Sequence, residues 1–373
     1  MRIKSFEFNL RELAGSMGDF GTLFPLAIGY IAICGMNPTG LLVMMGLTNV
    51  VTGLAYRLPM PIEPMKVLAV MAIAEAWSPS LIYASGFAMG IVWAVFALIG
   101  LMDLIAKYTP KSVVRGVQTA LGVLLAREGL KLVSTWWLLG IVAVLIVLIF
   151  RKNRYAPAAI VLVVLGLAIM GFNGDFERVA GPRLTLPPFT SFSLREVWDS
   201  LVLGGFAQIP LTATNAIIAT SALITHYWPD RRVTERRLSL NHGLMNLVVP
   251  FFGGMPLCHG SGGLAGQYYF GARTGGTNII EGIIEIGLGL FLAASIATIF
   301  ATFPKAIIGA MMFLVGIELM KFARDLKANW ELLPLAVTVV GAVAVNMAVG
   351  FVLGLLAHYL FVRDRLSGEP RKT

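Results

Sequence analysis

The sequence predicts an all-α polytopic membrane protein of fourteen transmembrane segments, built as two inverted repeats of seven. Composition is the first reason. Of 373 residues, 57% are hydrophobic and only 13% are charged, against about 25% charged in a soluble domain. Apolar runs of roughly 20 residues, enough to span a bilayer, recur along the chain. Duplication is the second. Pro110-Lys111 returns as Pro304-Lys305, Gly122 as Gly316, and Trp136-x-Leu138-Leu139 as Trp330-x-Leu332-Leu333, all at an offset of 194 residues. Pro59 stands ten residues after Asn49, as Pro256 does after Asn246. Charge placement is the third. With the N-terminus in the cytoplasm, Arg57, Lys107, Lys111, Arg151, Lys152, Arg154, Arg231, Arg232, Arg236, Arg237, Arg273, Lys321 and the basic tail share the inner side. Outer loops such as 34–38 and 75–79 carry no Lys or Arg. Arg127, Lys131, Lys305 and the central connector depart from this bias, which otherwise puts both termini inside. Seven spans per half then invert the second repeat about an axis in the membrane plane.

The elements follow in order. Residues 1–13 mix Arg, Lys and Glu with Phe and Leu and read as a short interfacial segment, not an apolar signal core. The first repeat, 1–172, holds apolar segments at 14–34, 38–56, 62–75, 80–106, 111–130, 135–150 and 156–172. A Pro-rich, charged extracytoplasmic connector covers 173–196. The second repeat, 197–373, holds segments at 197–224, 238–253, 260–272, 277–301, 304–322, 331–348 and 350–362. No room is left for a separate soluble domain. The net charge of +9 belongs to the inner loops and implies no nucleic-acid partner. Cys34 and Cys258 make neither a disulfide framework nor a metal cluster. No nucleophile–base constellation stands out and no cofactor is implied, so the chain does not read as an enzyme.

The third and tenth segments are short and follow Pro- or Gly-rich stretches. Pro59, Pro61 and Pro64 enforce extended backbone before a helix can begin, and Pro64 suits a first helical turn. The stretch from Phe252 to Leu264 carries Gly253, Gly254, Gly260, Gly262 and Gly263. Non-helical backbone at membrane depth is tolerated only when buried or lining a cavity. Two half-helices with facing N-termini would present free N–H groups and positive dipole ends to an anion.

The run from Glu12 to Pro25, Glu-Leu-Ala-Gly-Ser-Met-Gly-Asp-Phe-Gly-Thr-Leu-Phe-Pro, resembles the first-helix signature of the molybdate transporter family, a branch related to sulfate permeases. Pro59-Met-Pro-Ile-Glu-Pro-Met-Lys66 is similar to its Pro-Met-Pro-Val-Gln-Pro-Met-Lys motif, with Glu63 where that motif has Gln. The run from Met255 to Tyr268 resembles its second signature. The resemblance implies the fourteen-helix fold of sulfate and nucleobase permeases, with a core domain moving against a gate domain. It also implies a homodimer. Sulfate permeases usually add a C-terminal regulatory domain, which is not expected here.

Candidate site residues come from these motifs. Asp19 is an intramembrane acid, either a coupling group or a partner for exposed backbone. Gly21 permits close approach, and Thr22 offers a hydroxyl. Glu63 and Lys66 share the first half-helix turn. Lys66 either adds charge for a dianion or neutralises Glu63 or Asp19. His259, Gly260, Ser261, Gly262 and Gly263 resemble an oxyanion cradle. Gln208 and Thr212 are second-tier candidates on the eighth segment. Glu281 and Glu285 read as support for a gate at most. The expected function is secondary active import of a tetrahedral oxyanion across the plasma membrane. Molybdate is the first choice, and sulfate and tungstate follow. A proton would travel with it through Glu63 or Asp19. A nucleobase or organic-anion permease of the same fold, or a passive anion channel, is the alternative. The topology has a direct check. In a background lacking Cys34 and Cys258, cysteines replacing Ser5 and Ser367 should react only with reagents on the cytoplasmic side. Labelling from opposite sides would overturn it.

Overall fold

The computed structural model describes residues 2–3, 5–17, 20–101, 108–150, 158–179, 181–326 and 330–362. A two-stranded antiparallel ribbon, β1 (Arg2–Ile3) and β2 (Phe6–Glu7), opens the chain. Then α1 (Leu10–Ser16) starts at Asn9, whose side chain accepts from the N–H groups of Arg11 and Glu12. The first apolar segment is not one helix. After α1 the helical chain resumes as α2 (Phe20–Ala32), and Asp19 lies outside the described residues.

Caps and prolines set the next boundaries. α3 (Pro38–Tyr56) has Asn37 as its N-cap and Pro38 in its first turn, and stops at Arg57 in the left-handed region (φ 56°). α5 (Pro79–Ile99) repeats the device with Ser78 and Pro79, and stops at Gly100 (φ 71°). Between them, Pro59, Pro61 and Pro64 hold the chain extended, so helix α4 covers only Lys66–Ala74. The first half continues as α6 (Lys111–Val133), α7 (Trp137–Phe150) and α8 (Ala158–Phe172).

The connector leads into α9, helical from Leu194 to Tyr227 and longer than the segment read from sequence. It widens into π-type turns at Leu201–Gly205 and Thr212–Ile218, either side of Pro210. After α10 (Glu235–Val248) and a 3-10 turn (Val249–Phe252), the half-helix α11 covers Ser261–Phe270. The eleventh segment, expected as one span, is broken. α12 (Gly276–Phe291) and α13 (Ala293–Thr302) meet at an 83° bend. The connector accounts for the break. The N–H groups of Arg183 and Thr185 donate to the carbonyls of Phe291 and Leu290 at 2.9 and 2.7 Å, satisfying the end of α12. α14 (Lys305–Lys321), α15 (Leu332–Ala344) and α16 (Met347–Ala357) follow. Among the described residues, α3, α5, α9 and residues 305–325 are each long and apolar enough to cross a membrane. The bent α12–α13 pair makes a fifth.

The main helix packings join the two halves: α6 on α14, α3 on α12, α5 on α10. Glycines allow them. A Cβ added at Gly122 or at Gly316 would lie 2.5 Å from the other's carbonyl oxygen. Gly129 with Gly309, and Gly46 with Gly282, are equally tight. Apolar side chains gain little by leaving lipid for a helix interface, so close backbone approach through small residues carries the association. Gly122→Ala should therefore destabilise the protein by roughly 1–3 kcal/mol, the cost of overpacking. Gly287→Ala, where a Cβ meets nothing within 4 Å, should be neutral or stabilising by up to about 1 kcal/mol. Thermal unfolding of the two purified variants makes the comparison.

Candidate anion-binding site

Two short strands lie side by side where the halves meet. β3 (Glu63–Pro64) pairs antiparallel with β4 (Leu257–Cys258), in the register Glu63 with Cys258 and Pro64 with Leu257. The N–H of Met65 donates to Pro256 O at 2.9 Å. α4 follows β3 and α11 follows β4, so the two half-helices leave the crossing in opposite directions with their N-termini beside it.

The extended backbone on either side of this ladder needs partners, because no water reaches it in a hydrocarbon interior. Carboxamides supply them. Asn246 accepts from Leu257 N at 2.8 Å and donates to Leu257 O at 2.7 Å. Asn278 does the same for Met60, at 2.9 and 2.6 Å. Asn49 holds Asn278 in turn, accepting from its Nδ2 at 2.8 Å. His242 donates through Nδ1 to Leu238 O at 2.8 Å, which leaves Nε2 to accept from the N–H of His259 at 3.1 Å.

Glu63 sits at the crossing, 2% exposed. Lys66 Nζ is 2.6 Å from its Oε2. The carboxylate lies in a notch of the opposing half-helix. A Cβ at Gly260 would be 2.7 Å from Glu63 Oε2, and one at Gly263 would collide with Oε1. A side chain at either position would require the carboxylate to shift. A carboxylate there is favoured by the N-terminal dipole end of α11.

The two helix starts are not equivalent. On α4, the N–H of Val67 donates to Gln208 Oε1 at 2.8 Å, and Gln208 is oriented by its own bond to Thr212 Oγ1 at 2.7 Å. Gln208 and Thr212 thus cap the first half-helix from α9. On α11 the N-cap is Gly260, which brings no side chain to the helix start. The first helical bond is Leu264 N to Gly260 O, which leaves the N–H groups of Ser261, Gly262 and Gly263 ahead of it. Gly262 is exposed, and a Cβ there meets nothing within 4 Å.

The cradle residues therefore divide. Gly260 and Gly263 accommodate Glu63, and Gly262 faces open space. Ser261 Oγ donates to Asn215 Oδ1 at 2.8 Å. The His259 ring is fully buried, with Nδ1 3.1 Å from Pro61 O and Nε2 2.8 Å from Asn241 Oδ1. It brackets the crossing and faces no open space. Gly21 and Thr22 fall in the first turn of α2, a helix that packs on β3 and α4. Sequence reasoning missed Asn215, Asn241 and Asn278. A polar amide in an apolar segment was the available signal.

Solved structures of anion transporters share this architecture. Over 98% of the chain and 70% of the other, it is similar to the murine solute carrier 26 family member A9 anion transporter in its inward-facing state, with TM-score 0.71 and 13% identity. Over 95% and 97% it is similar to the transmembrane domain of a cyanobacterial bicarbonate transporter, BicA, with TM-score 0.64 and 16% identity. The fold is that of these integral, multi-pass membrane proteins. The family described as molybdate transporter of the MFS superfamily matches residues 11–125 and 200–319, and the chain belongs to it. Molybdate transporter 1 of Arabidopsis thaliana is 29% identical over 98% of this chain and 91% of its own length.

Gln208→Leu should leave the Val67 N–H buried without an acceptor and cost roughly 1–3 kcal/mol of stability. Gly262→Ala should leave the melting temperature close to wild type. Thermal unfolding without any anion reads both.

Proposed function

We propose that the chain is a secondary active importer of a tetrahedral oxyanion, with molybdate first and sulfate and tungstate as competitors. The asymmetry of the two helix starts carries this reading. One is capped by Gln208, and the other keeps three N–H groups beside an open glycine. Such a start binds an oxyanion without an arginine. The names of the relatives, for molybdate and bicarbonate transport, support an inorganic anion. The Lys/Arg bias of the loops supports a plasma-membrane protein with both termini in the cytoplasm.

The fourteen-segment, seven-plus-seven inverted arrangement has its own support. The two β3–β4 pairs exchange under the offset of 194 residues, which carries Glu63 onto Leu257 and Pro64 onto Cys258. The Gly122–Gly316 contact is reciprocal at equal distance. The packing of α3 on α12 is matched by that of α10 on α5.

Glu63 acts as an internal anion. Ionised, it occupies the notch at α11 and holds Lys66. An oxyanion arriving at Gly262 meets this like charge across a poorly screened space. A proton on Glu63 removes the repulsion and releases Lys66 toward the substrate. Linkage then sets the sign: if binding favours the protonated form, binding tightens as pH falls, and a proton travels with the anion.

Radiolabelled molybdate and sulfate uptake into proteoliposomes, with and without an inward proton gradient, tests the reading. Gly262→Leu should abolish uptake while the protein still folds. Ser261→Ala should weaken binding by roughly 0.5–3 kcal/mol. Glu63→Gln, which mimics the protonated form, should keep affinity, flatten its pH dependence and lose accumulation driven by the gradient. If Glu63→Gln still concentrates substrate with the wild-type pH profile, Glu63 is not the coupling group. If neither oxyanion is taken up by wild type, the oxyanion reading fails.

A further inference from the structure

Between α5, α9 and α16 lies a cavity of about 390 Å³ that the oxyanion reading does not use. Phe96 of α5, Ile209 and Pro210 of α9, and Phe351 and Leu355 of α16 form its walls. Tyr108 and Thr109 bring hydroxyl groups to one end, and among the described residues no charged side chain lines it. A buried water needs roughly two to four polar partners, which such walls do not offer. Left empty, the walls forfeit their dispersion contacts.

The surroundings of the mouth decide the occupant. Phe206 and Val352 line the cavity yet are 39% and 51% exposed, so they form its rim. Leu98 and Ile99 at the end of α5, and Leu353 and Leu356 on α16, are exposed too. In a chain that spans a bilayer these side chains meet lipid tails, and the cavity opens into hydrocarbon. Its polar end is marked by charge. Lys111 follows Thr109 by two residues, on the side that the Lys/Arg bias makes cytoplasmic. Lys111 Nζ and Arg115 Nε each lie 3.0 Å from a carboxylate oxygen of Asp325. Two cations against one carboxylate leave a positive excess, and the Lys111 side chain is 57% exposed. An apolar slot with a basic group beyond its polar end fits an anionic phospholipid, tail inside and headgroup outside.

The α9 wall is a stretch of helix that is not regular. Pro210 brings no N–H to it, and π-type turns stand on either side. The same stretch carries Gln208, which caps Val67, and Asn215, which receives the Ser261 hydroxyl. A chain packed against Ile209 and Pro210 braces the turns that position both. We infer that this cavity is a lipid site: one acyl chain of an anionic phospholipid from the cytoplasmic leaflet fills it, with the headgroup at Lys111, and braces α9. The site goes beyond the oxyanion reading, and its test contains no oxyanion substrate, so either can fail alone.

The probe is phosphatidylglycerol with a photoactivatable diazirine in one acyl chain, added to full-length protein in phosphatidylcholine nanodiscs. Mass spectrometry maps the cross-links. Labelling of 206–210 and 351–355 should exceed several-fold that of Leu145 and Ile149, exposed residues of α7. Unlabelled phosphatidylglycerol should displace the probe at a lower mole fraction than phosphatidylcholine does, and Lys111→Gln should remove that difference. Ile209→Trp fills the cavity with protein and should reduce the label to the α7 level. Added phosphatidylglycerol should raise the melting temperature of wild type and not that of Ile209→Trp. Labelling no stronger than on α7, as when a second copy of the chain covers the mouth, overturns the site. So does equal displacement by the two lipids, or unchanged labelling of a folded Ile209→Trp. Should Ile209→Trp fail to fold, Val352→Trp fills the cavity from the opposite wall.

Discussion

Two stretches of extended backbone cross inside a bilayer, and everything near the site depends on satisfying their peptide groups. A helix would bond them internally, but Pro59, Pro61 and Pro64 forbid one on the first stretch. The pairing of β3 with β4 supplies part of the solution. Asn246 and Asn278 supply the rest by presenting a carboxamide as a substitute strand to Leu257 and Met60. The use of two such clamps, one from α10 and one from α12, ties both halves to one crossing. Loss of either clamp would bury an unsatisfied donor and acceptor together.

The same crossing explains the glycine run. Gly260 and Gly263 leave a notch that the Glu63 carboxylate fills. Gly262, between them, turns the other way into open space. One short sequence thus builds a notch for the Glu63 carboxylate and an open position on adjacent faces of a helix start. Lys66 balances the carboxylate from the opposite half-helix.

Away from the crossing, packing of backbone on backbone holds the halves together. Gly122 with Gly316, Gly129 with Gly309 and Gly46 with Gly282 bring helices of opposite halves into contact. Such contacts fix helix register tightly, because a shift of one residue would place a Cβ against a carbonyl. The half-helices are therefore held between rigid neighbours, and the N–H groups of α11 stay aimed at one place.

The sequence by itself determined the membrane class, the family and the two half-helix starts. Proline restricts its own backbone, glycine permits what Cβ forbids, and spanning runs must be apolar. All three are local properties. It also marked Glu63, Lys66 and the run from Gly260 to Gly263 as one candidate site. Tertiary structure alone decided the roles within that site. Gln208 caps Val67 across 141 residues of chain, His259 turns toward Pro61 and Asn241, and Asn215 rather than open space receives the Ser261 hydroxyl. It also decided the break at Leu292, where bonds from the distant connector end a run that is helical by composition. These outcomes depend on which polar atoms a fold brings within hydrogen-bond reach, and no property of a single segment contains that distance.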